Sequence, residues 1–111
     1  MPKEALTLYW ACLAGAITLE IAGTISMKLS QGFTRTVPSV LLFVFYIASF
    51  ALMTVAVKRI DASVSYAIWS GVGTTAIALI GVFWFRETLT AVQVASIVLI
   101  VVGVIGLRVG A

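Results

Sequence analysis

The sequence predicts an all-α membrane protein with four transmembrane helices in each subunit, and three observations lead to that fold class. Hydrophobic residues make up 62% of the 111-residue chain and charged residues only 10%, against about 25% charged in an average soluble domain. Such a chain cannot cover itself with enough polar surface to stay dissolved as a monomer, and the lipid bilayer is the solvent it fits. Four apolar runs appear, over residues 6–27, 37–57, 63–85 and 91–109, each near the about 20 residues a helix needs to cross the hydrocarbon core. These runs lack the polar–apolar alternation of a barrel strand, and a helix of this length satisfies its own backbone inside lipid.

Each boundary has a local reason. Ser30-Gln31-Gly32 ends the first helix, with Gly32 free to take the left-handed conformation that follows a helix. Pro38 suits the first turn of the second helix, where its missing N–H costs nothing. Asp61-Ala62-Ser63 offers an N-cap to the third helix, and Thr88 or Thr90 offers one to the fourth. The gaps are short, so consecutive helices must run antiparallel. Residues 1–111 are expected to form one domain, with no room for a soluble catalytic unit. The first run contains Ala14-Gly15-Ala16, which faintly resembles a signal cleavage site, but it continues well past that point and is expected to be retained.

The charges exclude other classes and bear on orientation. The net charge is +3, yet there is no basic stripe and no polar domain with which to bind nucleic acid. Cys12 is the only cysteine, so no internal disulfide forms. Without histidine or a carboxylate cluster, neither a metal nor a cofactor is expected. Four crossings put Lys3, Lys58, Arg59 and Arg108 on one side and Lys28, Arg35 and Arg86 on the other. Four against three is a bias of one charge, and Lys/Arg asymmetry is what sets topology. A chain this indifferent is expected to insert both ways round and pair as an antiparallel homodimer; the competing expectation is one orientation fixed by other features.

Glu20 is the most informative residue. It lies deep in the first helix with no basic residue within one turn. A carboxylate inside a membrane costs several kcal/mol unless it is paired, protonated or hydrated, which makes it a functional candidate. The bland alternative is a neutral Glu holding helices together. Leu13, Ala16, Ile17, Gly23, Thr24 and Met27 share its face by helical spacing. Ala16, Gly23 and Thr24 are small, which leaves volume around the carboxylate and also suits close helix packing.

The third helix opens Tyr66-Ala67-Ile68-Trp69-Ser70-Gly71-Val72-Gly73. Tyr66, Trp69 and Ser70 cluster on one side, and aromatic faces attract desolvated cations by about 2 kcal/mol each. A carboxylate with aromatic walls is a sensible receptor for a lipophilic cation; the alternative is an interfacial belt, which fits Trp10 and Trp84 better. Gly71 and Gly73 are candidates for a hinge or for plain close packing. In the second helix Tyr46, Ser49, Phe50 and Met53 share a face, and the Tyr46 and Ser49 hydroxyls are candidates to bond Glu20. The fourth helix has no polar residue suited to a substrate, and Ser96 and Gly103 on one face read as a helix–helix contact, hence dimerisation.

These residues resemble the small multidrug resistance family over nearly the whole chain. The segments that carry the resemblance are Glu20-Ile21-Ala22-Gly23-Thr24 with Met27-Lys28, then Gly32-Phe33-Thr34-Arg35 before Pro38-Ser39, and the stretch from Tyr66 to Gly73. The resemblance implies an antiparallel dimer in a bacterial inner membrane that exchanges protons for cationic compounds. By it, Glu20 matches the shared proton and substrate carboxylate, Tyr66 and Trp69 the aromatic binding residues, and Tyr46 a pocket tyrosine. Ala16, Ile17, Gly23 and Thr24 match positions lining the site, and Lys28 the basic residue that closes the first helix. Leu99, Ile100, Gly103 and Val104 match the dimer motif, with Ser96 where that motif usually has Gly. The guanidinium-exporting branch typically has Trp where this chain has Gly23, so the chain looks more like the branch that exports quaternary ammonium and aromatic cations.

Other readings stay open at this level. A guanidinium or polyamine exporter, or one half of a paired heterodimer, would belong to the same family. A rotary-ring proteolipid also uses one membrane carboxylate, but its usual unit is a two-helix hairpin with no aromatic cage. A small adaptor without transport would be indifferent to Glu20.

Overall fold

The computed structural model describes residues 3–110, with the side chains of Lys3 and Glu4 outside the description. The expected single domain over 1–111 and the orienting charge of Lys3 therefore extend beyond what is described. Four helices follow in order: α1 (Lys3–Leu29), α2 (Thr36–Ala56), α3 (Ala62–Phe83) and α4 (Ala91–Val109). All four are long and apolar enough to cross a membrane, and the described residues contain no strand.

The helix ends show where local chemistry overrides the apolar pattern. α1 is longer than its apolar run at both ends, because polar residues continue the helix beyond the hydrocarbon; Lys28 in its last turn complements the helix dipole. The following turn has positive φ at Gln31, Gly32 and Phe33 (48°, 69° and 68°), so the left-handed path expected at Gly32 extends to both neighbours. Buried Ser30 anchors it by donating to the Met27 carbonyl at 2.7 Å. Asp61 stands at the N-cap of α3 but its side chain makes no capping bond, which corrects the expected role. Thr90, not Thr88, caps α4: its hydroxyl accepts from Gln93 N–H at 3.1 Å while the Gln93 side chain accepts from Thr90 N–H at 2.9 Å.

α3 stops at Phe83, two residues before its apolar run ends. Arg86 takes φ 56°, and the backbone turns so that Glu87 N–H donates to the Gly81 carbonyl at 2.9 Å. Trp84 and Phe85 are apolar but lie in this turn, stacked on each other at 5.4 Å.

Small residues set the packing. Leu52 and the Tyr46 ring each come to 2.9 Å from where a Cβ on Gly15 and Gly23 would stand, so α1 and α2 form the tightest pair. Between them Ser49, 1% exposed, donates to the Ala16 carbonyl at 2.6 Å. Leu13, Ile17, Ala56, Ile60 and Val64 form the core that joins this pair to α3. α4 packs chiefly on α3, where the Val104 methyl sits 2.5 Å from the Cβ position of Gly71.

The result measures 46 × 35 × 17 Å. A closed bundle of four helices would be about as thick as it is wide; here the width is twice the thickness. The helices fan into a slab. No residue of α4 is buried, and Leu99 is 71% exposed.

Candidate functional site

Thr24 stands one turn after Glu20 on α1, so its hydroxyl points back along the helix and donates to Glu20 Oε1 at 2.9 Å. The same Thr24 oxygen lies 2.7 Å from the Tyr46 hydroxyl of α2. A threonine has one hydroxyl proton; spent on Glu20, it leaves Tyr46 as the donor to Thr24. The chain of bonds thus runs Tyr46 to Thr24 to Glu20, across two helices.

The other carboxylate oxygen, Oε2, is sealed from solvent and has no hydrogen-bond partner. It lies 2.9 Å from where a Cβ on Gly73 would stand, so the glycine of α3 makes room for it. Trp69 Nε1, on the same face of α3, is also buried without a partner. Buried polar atoms without partners are rare because they are costly, and each calls for an explanation.

Glu20, Thr24, Trp69 and Gly73 line one cleft of about 480 Å³, together with Ser70, Thr74, Ile77, Ala78 and Glu87. This volume is in the range of small-molecule sites. Trp69 also joins a line of aromatic rings: Tyr66 at 5.4 Å on one side, Phe50 at 5.9 Å on the other, and Tyr46 at 6.5 Å beyond Phe50.

The sequence-derived candidates separate into groups. Glu20, Thr24, Trp69 and Gly73 meet at the cleft. Tyr46 reaches Glu20 through Thr24 rather than directly, with its ring over Gly23. Tyr66, 62% exposed, stacks on Trp69 outside the cleft lining. Ala16 and Ile17 are buried in helix packing, and the Ser49 hydroxyl is spent on the Ala16 carbonyl. None of these three lines the cleft in the isolated subunit. Gly71 receives Val104 and lies 3.5 Å from Ile100 through its Cβ position, so Ile100 and Val104 face α3 of their own subunit. Ser96 and Leu99 are exposed, and nothing lies within 4 Å of the Cβ position of Gly103.

Sequence reasoning missed Thr74, Ile77, Ala78 and Glu87. The first three carried a signal: Trp69, Ser70, Gly73, Thr74, Ile77 and Ala78 form an unbroken stripe at three- and four-residue steps. Glu87 carried none, since it reaches the cleft only through the turn at Arg86. Its carboxylate packs on Gly81 and pairs with Lys28 at 3.4 Å.

Known proteins are similar to this chain over most of its length. A family model described as Small Multidrug Resistance protein matches residues 8–100. The uncharacterized membrane protein YvaE of Bacillus subtilis (strain 168) is 48% identical over 99 residues, covering 89% of this chain and 83% of its own. The multidrug resistance protein EbrA of Bacillus licheniformis is 43% identical over 90 residues, covering 81% of this chain and 86% of its own.

Proposed function

The chain belongs to the Small Multidrug Resistance family, and on that premise we propose that it is a proton-coupled exporter of lipophilic, quaternary ammonium and aromatic cations. It works in the bacterial plasma (inner) membrane as an antiparallel homodimer. The observation that carries the reading is Glu20: one oxygen is held by Thr24, the other is sealed against Gly73 without a partner, and the residue lines a cleft together with Trp69.

An unpartnered carboxylate oxygen is expensive to keep charged in a poorly hydrated site. A proton relieves that cost, and so does a cation. One negative site cannot favour both at full strength, so each displaces the other and their gradients are exchanged. Trp69 offers its ring face to a cation that has shed its water. Tyr46 and Thr24 hold the carboxylate in place from α2 and α1, so a change of charge at Glu20 is felt across the tightest helix pair. The cleft lies between helices, as substrate sites do in transporters that alternate access around the membrane midplane.

The dimer is supported by the open slab and by the bare side of α4. Ser96, Leu99 and Gly103 offer a contact to a second copy, while Ile100 and Val104 brace α4 on α3 beneath it. The second copy brings its own Glu20, and the near-even loop charges let the two lie in opposite senses.

Guanidinium export is not favoured, because Gly23 stands where the guanidinium-exporting branch typically has Trp, and the Tyr46 ring fills the space over it. The direct test is transport in proteoliposomes under an imposed pH gradient. The expected result is proton-driven uptake of a quaternary ammonium cation by the native protein and none by Glu20→Gln. Proton-driven uptake by Glu20→Gln would refute the mechanism.

A further inference from the structure

The cleft contains a second carboxylate that the exchange at Glu20 does not use. Glu20 and Glu87 both line it, and each packs over a glycine of α3, Glu20 on Gly73 and Glu87 on Gly81. Eight residues of helix separate those glycines, a rise of about 12 Å. Ile77 and Ala78 line the wall between them. The cleft is thus acidic near both ends and apolar between, apart from Thr74.

Glu87 already holds an ammonium group. Lys28 Nζ is 3.4 Å from Glu87 Oε2 and sits over the Phe85 ring at 5.8 Å from its centre. Phe85 lies outside the cleft lining, in a neighbouring groove with Lys28, and with Glu87 it repeats the aromatic-plus-carboxylate pairing of Trp69 and Glu20. Both partners of the Lys28–Glu87 pair are about half exposed (58% and 51%), and exposed ion pairs are weak. Lys28 is an occupant that a ligand can displace.

We propose that Glu87 with Phe85 is a second cation anchor, so that the cleft takes elongated bis-cations with an apolar spacer and charges about 12 Å apart. One charge seats at Glu20 and the other displaces Lys28 from Glu87. This rests on Glu20 binding cations, and it adds a length preference that a single carboxylate does not give.

The test is equilibrium binding to the purified full-length protein of a homologous series of bis(trimethylammonium)alkanes, each beside the alkyltrimethylammonium of equal chain length. The bis-to-mono affinity ratio is expected to peak where the charges are about 12 Å apart. Glu87→Gln is expected to lower that ratio about fivefold, the size of a half-exposed charge contact. Glu87→Asp should keep most of the ratio, and Lys28→Gln should raise it by freeing the anchor. The Lys28 variant also tests the site if Glu87→Gln fails to fold. Monocation binding with a flat ratio, or a peak that survives Glu87→Gln, would overturn the second anchor alone. Absence of monocation binding at every pH would remove the reading of Glu20, and this proposal with it.

Discussion

Gly73→Ala sets two effects of opposite sign against each other. Alanine in place of glycine inside a helix stabilises by about 0.5–1 kcal/mol, so the fold should hold or gain. The added Cβ, however, would stand 2.9 Å from Glu20 Oε2, where ordinary contact begins near 3.4 Å. The carboxylate must give way by about half an ångström, yet its other oxygen is tied to Thr24 at 2.9 Å. Shifting it strains or breaks a bond to a charged group, worth about 1.5–3 kcal/mol. The lower figure is about tenfold in affinity. Thermal unfolding in detergent should therefore be unchanged or slightly raised, while equilibrium binding of a quaternary ammonium cation weakens about tenfold. Unchanged affinity would refute the reasoning. Slower transport at unchanged affinity would make Gly73 a hinge, not a seat for the carboxylate.

Tyr46→Phe keeps the ring over Gly23 but removes the donor to Thr24; cation affinity should fall about fivefold, one neutral hydrogen bond, by the same binding assay. Ser49→Ala removes the bond to the Ala16 carbonyl between α1 and α2. It should cost about 1 kcal/mol by thermal unfolding and leave cation affinity little changed, since Ser49 is away from the cleft. Thr90→Ala removes the hydroxyl that accepts from Gln93 N–H at the start of α4 and keeps the backbone half of the capping box, a loss of about 1 kcal/mol in the same melt.

Much of the fold was legible because membrane helices obey two simple demands, an apolar surface and a satisfied backbone. Those demands say little about where a helix stops. The end of α3 depends on Arg86 taking a left-handed conformation, for which a non-glycine residue gives no signal. The site was half legible. Glu20 stood out because a lone carboxylate in lipid is costly, and Thr24 followed from one helical turn. Ser49 was less legible, because its helical face does not say whether its hydroxyl serves a carboxylate or, as within the subunit, the Ala16 carbonyl. Glu87 was hidden because its place depends on a turn, not on helical spacing. Ile100 and Val104 were placed in a contact between copies by their motif; within the subunit they also pack toward Gly71, which the motif did not signal.

The proposed competition between proton and cation at Glu20 is tested by the protons released when a cation binds, by calorimetry of the purified protein in buffers of different ionisation enthalpy. The native protein is expected to release protons on binding, increasingly as the solution is acidified, while its affinity falls, because protonation removes the charge the cation needs. Glu20→Gln should release none and bind weakly at every pH. Cation binding by the native protein without proton release at any pH, or with an affinity that Glu20→Gln leaves intact, would contradict the exchange.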